Sequence, residues 1–233
     1  MRLDQAIAER FSISRRKARE AIAAGRVLVN QRAVRQASRE TAAGDELRVV
    51  EALPSTPLLA STDEWLAVDK PAGMPTQPAR DRKTVSLEEL LRLEYRSIYL
   101  VHRLDTPTSG VVLFARTPAA AAKLSRFFAS GEMKKTYVAR VAPAVVNELT
   151  IDTPIDGKSA RTLVRPRGGD VVEVDIETGR THQIRIHLSG AGHPVLGDRR
   201  YGGGAAPRLM LHAWRLEHPE LGRIEAPLPE WAG

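Results

Sequence analysis

The stretch EALPSTPLLAST, residues 51–62, constrains the fold more than any other. Two prolines and a run of small residues stand between a strand-like segment and the next apolar run, which reads as a linker. The chain therefore divides into a short segment, 1–50, and a long one, 63–233. With 42% apolar residues over 233 positions, the long segment can bury a core of its own.

The short segment holds most of the charge. The chain carries 35 Lys+Arg against 28 Asp+Glu, a net charge of +7. Residues 1–50 contribute 11 Lys+Arg and 6 Asp+Glu, leaving only +2 for the remainder. A polyanionic partner is the physical reading of such a patch. Leu3, Ile7 and Phe11 keep helical spacing, and Ser14 is placed to cap a second helix, RRKAREAIAA, ended by Gly25. RVLVNQRAV reads as a hairpin around Asn30-Gln31, and GDELRVV as a further strand. On the second helix Arg15 and Arg19 share a face, with Arg16 beside them, over a buried stripe of Ala18 and Ile22. This segment resembles the alpha-L RNA-binding module, the type found in bacterial ribosomal small-subunit protein number four. The resemblance implies that Arg15, Arg16 and Arg19 meet structured RNA, chiefly its phosphates. Asn30-Gln31 departs from the Asn-Gly frequent in that module.

The long segment alternates irregularly. Strands are predicted at Trp65–Val68, Val111–Ala115, Thr136–Val141, Val171–Ile176 and Leu209–Leu216, and helices at Ser86–Arg96 and over TPAAAAKLSRFFASG. In the latter, Thr117 caps, Pro118 takes the first turn and Gly131 stops. The pattern implies an α+β fold with a mixed, mostly antiparallel sheet, preceded by a small α/β RNA-binding module.

Composition removes several chemistries. Without cysteine there is no disulfide, no thiolate nucleophile and no Cys-ligated zinc. No apolar run approaches membrane-spanning length, and MRLDQAIAER carries charges where a signal peptide needs apolar residues, so a cytoplasmic location is expected. His182 and His187 lie five apart, on opposite faces of a strand or about 140° apart on a helix, which argues against a shared metal. Neither Ser109 nor Ser189 sits in a nucleophile elbow, and YGGGAA lacks the P-loop lysine, so it reads as a flexible surface loop.

Two dense clusters remain. In VHRLDTPTSG, residues 101–110, Asp105 follows Arg103 and precedes an apolar strand. Alone it reads as a surface ion pair or a turn cap. Held at a strand end in a cleft, it would need a cation to stay ionised. ETGRTHQIRIHL, residues 177–188, offers one: as a helix capped by Thr181 with Ile184 and Leu188 buried, it places Arg185 on the face of His182. As a strand it would place Arg185 with Thr181 and Gln183 instead.

Together with DKPAGMPTQP, KKTYVARV, the continuation SGAGHPVLGDRRYG and the closing RLMLHAWRLEHPELGRIEAPLP, these clusters resemble the RluA class of pseudouridine synthases across essentially all of 63–233. The histidine of H-R-L-D favours this class over its small-subunit relative, which typically has glycine there. The resemblance implies an isomerase that converts uridine to pseudouridine in ribosomal or transfer RNA without metal or organic cofactor. It implies Asp105 as the catalytic aspartate and Arg185 as its basic partner, with Arg180 the fallback. Tyr137 would stack on the extracted base and assist proton removal at its carbon 5. Arg103 would hold the target nucleotide out of the stack, and His102 would shape the loop beside the substrate. Thr106-Pro107 occupies variable positions of the motif, and the segment between GMPTQP and HRLD is short. Large-subunit ribosomal RNA is the favoured target and transfer RNA the next, with a non-catalytic RNA-binding or ribosome-assembly factor as the alternative class. A monomer suffices for all of these.

Overall fold

The structure is a computed structural model and describes residues 1–30, 32–50, 56–78 and 85–233. Its contacts divide the chain into two units, Met1–Ser55 with Pro75–Ile98, and Thr56–Met74 with Tyr99–Gly233. The expected single break at 51–62 is thus only part of the division. Residues 75–98 group with the first unit because their helix, α3 (Leu87–Glu94), packs beside the small sheet there.

In that first unit α1 (Leu3–Arg10) and α2 (Arg15–Ala23) pack against β1 (Val27–Val29), β2 (Arg32–Ala33) and β3 (Leu47–Val49), an antiparallel sheet in the order β2-β1-β3. Its core is Leu3, Ile7, Ala18, Ile22, Val27 and Val29. Ser14 caps α2 as expected, its hydroxyl accepting from the Lys17 amide at 3.2 Å. Asn30 adopts a left-handed backbone, and its side chain ties the hairpin to the Glu46 amide and the Asp45 carboxylate. Gln31, the departure in the turn, lies outside the described residues. Ser86 and Glu89 form a capping box at the start of α3.

The second unit is built on one mixed sheet. Among the described residues its strands are β4 (Leu58–Ser61), β5 (Trp65–Lys70), β6 (Tyr99–Leu100), β7 (Ser109–Ala115), β8 (Lys134–Arg140), β9 (Leu149–Ile151), β10 (Thr162–Gly168), β11 (Val171–Ile176), β12 (Leu211–His218) and β13 (Gly222–Glu225). The order is β4-β5-β7-β12-β8-β11-β10-β9, with β13 on β12 and β6 on β7. Only β7 and β12 pair in parallel, so the α+β, mostly antiparallel expectation holds. Leu58–Ser61, read as linker, instead pairs with β5: one strand of a sheet can tolerate Pro57 next to it because its other side needs no ladder.

All seven residues of β7 are buried, which is why its sequence runs apolar rather than alternating. Helix α4 (Pro118–Ser130) lays Ala120, Leu124 and Phe127 inward. Thr117 accepts from the Ala120 amide at 3.1 Å, and Gly131 closes the helix in the left-handed conformation. Helix α5 (Gln183–Gly190) buries Ile184 and Leu188 as predicted, but Thr181 does not cap it. His182 occupies the cap position with a left-handed backbone, and the Gln183 side-chain Oε1 accepts from the Arg180 amide and the Thr178 hydroxyl. Nor is YGGGAA a flexible loop. Gly203 donates its amide to Asp198, Gly204 accepts from Gly197, and a side chain at Gly203 would overlap the Val195 carbonyl.

Candidate active site

The site grows from the one parallel junction of the sheet. Ser109 and Gly110 at the start of β7 face His212 and Ala213 of β12. Gly110 has a φ of 116°, and a Cβ there would overlap the Ala213 carbonyl, so only glycine lets the two backbones meet. The segment entering β7 turns sharply, with the Thr108 amide donating to the Asp105 carbonyl at 3.0 Å. This turn holds Asp105 at the strand end with its side chain 20% exposed.

The turn is pinned from below by Lys70, the last residue of β5. Its ammonium is fully buried and donates to the carbonyls of Met74 (2.7 Å), Pro71 (3.0 Å) and Thr106 (3.2 Å). The Gly73 amide also donates to Thr106. Burial pushes the Lys70 ammonium down to about 7, against the pull of the Asp105 and Asp69 carboxylates.

Asp105 meets the expected arginine. Arg185 Nη1 donates to Asp105 Oδ2 at 3.4 Å, and His182 Nε2 lies 3.7 Å from the same oxygen. Yet the arginine's principal partner is Asp198, which receives Nε at 2.7 Å and Nη2 at 2.8 Å in a bidentate pair. The Asp198 carboxylate is fully buried and also accepts from the amides of Arg200 and Tyr201. Burial raises its pKa, but Arg185 and the two amides outweigh this and hold it below the ordinary carboxylate range. The same pair raises Arg185. Tyr201 completes the enclosure: its hydroxyl meets His182 Nδ1 at 2.8 Å and its ring lies under the Arg185 guanidinium.

A recess of about 80 Å³ opens at Asp105, lined by Arg103, Leu104, Thr108, Tyr137, Ile176 and Arg185 among others. It shares Arg103, Tyr137, Ile176 and Arg180 with a wider cleft of about 720 Å³. Tyr137, on β8, is held between β11 and β12 and borders the recess. Burial pushes its phenol well above the usual tyrosine range, and the Asp105 carboxylate adds to the effect. A phenol in that environment stays protonated, which makes it a stacking surface and hydrogen-bond donor more readily than a base.

The other candidates sort by their contacts. Arg103 is exposed at the mouth of the recess. Arg180 also lines it, with Nε donating to the Ser159 carbonyl at 2.9 Å. His102 is committed to the protein: Nε2 accepts from the Leu113 amide at 2.9 Å, and the ring stacks on Phe128. Burial, with a contribution from Lys135, pushes its imidazole down to about 3, so it is neutral and anchors β7. In the first unit Arg15 and Arg19 both bond Asp4, whereas Arg16 pairs with Glu20 at 2.9 Å on the exposed surface. Among the described residues no group of three His, Asp or Glu side chains is placed to hold a metal, and no helix is long and apolar enough to cross a membrane.

Residues 64–190 match the family model described as RNA pseudouridylate synthase, more than half of the chain. The chain belongs to the RNA pseudouridylate synthase family. Its members are isomerases acting on RNA. Residues 1–47 match the S4 domain, an RNA-binding module. Among curated relatives, an uncharacterized RNA pseudouridine synthase of Bacillus subtilis is 35% identical over 206 residues, covering 74% of this chain and 68% of the relative. Ribosomal large subunit pseudouridine synthase D of Nitrosomonas europaea is 32% identical over 226 residues, covering 80% of this chain and 65% of the relative. The dual-specificity RNA pseudouridine synthase RluA of Escherichia coli is 36% identical over 196 residues, covering 71% and 88%. Of solved structures, human RNA pseudouridylate synthase domain containing 1 superposes with a TM-score of 0.63 at 27% identity over 76% of this chain and 84% of that one.

Sequence reasoning missed Asp198, Tyr201, Lys70 and Asp4. The first two stand in GDRRYG, part of a quoted motif, where an acid among arginines is a readable sign of an ion pair. Lys70 ends the apolar strand WLAVDK, where a lysine is out of place unless its amine is held.

Proposed function

We propose that this chain converts uridine to pseudouridine in large-subunit ribosomal RNA, with Asp105 as the catalytic carboxylate. The observation that carries the reading is Asp105 at the floor of a narrow recess, facing an arginine already fixed by a second, buried acid. The name of the Nitrosomonas europaea relative supports the choice of RNA.

In the reaction the bond from ribose C1′ to N1 of uracil breaks and one from C1′ to C5 forms. The proton on C5 leaves, and N1 gains one. No atom is lost, so no water need be activated, and a single carboxylate suffices where a glycosidase requires two. Asp105 promotes cleavage at the sugar, held in orientation by Arg185. Tyr137 offers its ring to the base while the base turns. Extraction of the nucleotide costs a few kcal/mol, which two cations lining the recess, exposed Arg103 and half-buried Arg180, offset through neighbouring phosphates. The S4 domain brings Arg15 and Arg19 to the same RNA, and the enzyme works as a monomer in the cytoplasm.

RNA carrying tritium at C5 of uridine tests this. Wild-type protein releases tritium from large-subunit RNA, and Asp105→Ala binds that RNA but releases none. Equal release by both removes Asp105 from the chemistry. Release from transfer RNA alone moves the assignment to that substrate.

A further inference from the structure

Asp4, in the first turn of α1, is a fully buried carboxylate in a unit whose neighbouring core is apolar. Three guanidinium groups converge on it. Arg19 Nε donates at 2.8 Å, Arg15 Nε at 3.0 Å and Arg2 Nε at 3.2 Å, with Arg15 Nη2 at 3.4 Å. The arginine side chains remain 55%, 44% and 42% exposed respectively. Asp4 thus engages the inner Nε of each, while the terminal nitrogens of Arg2 and Arg19 are not used by it. Three cations against one anion leave a compact surplus of two positive charges at the surface. Arg16, paired with Glu20 on an open stretch of α2, is not held in this way.

We propose that Asp4 is a positioning residue that fixes Arg2, Arg15 and Arg19 as a rigid cradle for RNA phosphates. The inference rests on the reading of the chain as an RNA-modifying enzyme. It adds Arg2 to the contact surface, removes Arg16 from its centre, and gives the only negative group of the cluster a role in binding a polyanion. Each guanidinium is a planar fork. With Nε bonded inward, the outward edge has one orientation, and little side-chain freedom remains to be lost when a phosphate arrives.

The consequence runs against simple charge counting. Asp4→Asn removes a negative charge, which on charge alone strengthens RNA binding. If Asp4 organises the cradle, the variant binds more weakly. Glu9→Gln makes the same change of charge on the exposed part of α1 and serves as the matched control.

The experiment measures binding of labelled, deproteinised ribosomal RNA to the full chain across a salt series. Asp4→Asn is expected to bind about tenfold more weakly than wild type, the size of one lost charge-assisted hydrogen bond. Its salt slope should be shallower by about one to two, as phosphate contacts are lost. Glu9→Gln should bind as wild type or slightly better. Asp4→Asn binding as tightly as Glu9→Gln, with an unchanged slope, overturns the proposal. Should Asp4→Asn fail to fold, the double variant Arg15→Lys with Arg19→Lys decides, since it keeps every charge and loses the forks: about tenfold weaker binding supports the cradle, and wild-type affinity overturns it. Tritium release is read in parallel. If wild type releases none, the catalytic reading fails while the cradle still stands or falls on binding alone.

Discussion

Replacing Lys70 with methionine turns the buried ammonium into a measurable pH dependence. In the folded state burial holds its pKa at about 7, against the ordinary 10.5. A base whose folded pKa is depressed disfavours folding wherever the unfolded chain carries its proton and the folded one does not. Between those two values the unfolded state binds about one proton more, so stability rises with pH by about 1.4 kcal/mol per unit. Lys70 is fully buried, and solvent screening takes little from that slope. Methionine does not titrate. It also leaves the Met74 and Pro71 carbonyls without their donor, while Thr106 keeps the Gly73 amide, at about 1–3 kcal/mol for each one left unsatisfied, but that cost is the same at every pH. Urea unfolding of both proteins at pH 7.5 and pH 9.5 isolates the titration. The stability of wild type minus that of Lys70→Met should grow by about 2.5 kcal/mol between the two. A flat difference would show that the ammonium keeps its ordinary pKa and that the three carbonyls solvate it fully; a falling one would reverse the sign of the reasoning.

Two further substitutions probe the scaffold around Asp105. Gly110→Ala forces a side chain into the Ala213 carbonyl at a φ of 116°, and should cost about 3 kcal/mol or more by parting β7 from β12. A thermal melt within a degree or two of wild type would show that the junction can yield. Asp198→Asn leaves Arg185 facing a neutral amide in a buried site, and should cost about 3–5 kcal/mol of stability. Tritium release should fall with RNA binding retained; unchanged release would mean that Asp105 does not depend on how Arg185 is held.

Features whose cause is local could be read from the sequence. Ser14, Thr117 and Gly131 mark helix ends because caps act within a few residues, and β7 announces itself as an unbroken apolar run because both its faces are covered. β4 was hidden because Pro57 and small residues look the same in a linker and beside a strand. β10 was hidden by Pro166 and its flanking arginines, which the bulge between Pro166 and Gly168 accommodates. In the site, Asp105 and Arg185 were legible as a lone acid and a nearby supply of arginines. That Arg185 would give its two best bonds to Asp198 was not, since the pairing depends on how the turn after α5 folds back. The pairing of Arg15 and Arg19 was hidden for the same reason: the acid that gathers them lies on another helix.

Both units use one device. A carboxylate buried beyond the reach of solvent is costly unless cations surround it, and arginine can supply the charge while keeping donors to spare. At Asp4 the surplus faces outward on three part-exposed side chains, with the terminal nitrogens of Arg2 and Arg19 left unused by the carboxylate. At Asp198 it is a single nitrogen: with Nε and Nη2 of Arg185 committed, Nη1 is left for Asp105, at the long end of hydrogen-bond distance. That inequality suits the proposed chemistry. A tight bidentate pair would engage both oxygens of Asp105 and oppose its departure toward a sugar, whereas one weak contact from a rigid cation keeps the carboxylate aimed and able to react. A lysine at 185 could not divide itself in this way, because a single nitrogen held by Asp198 has no second edge to present.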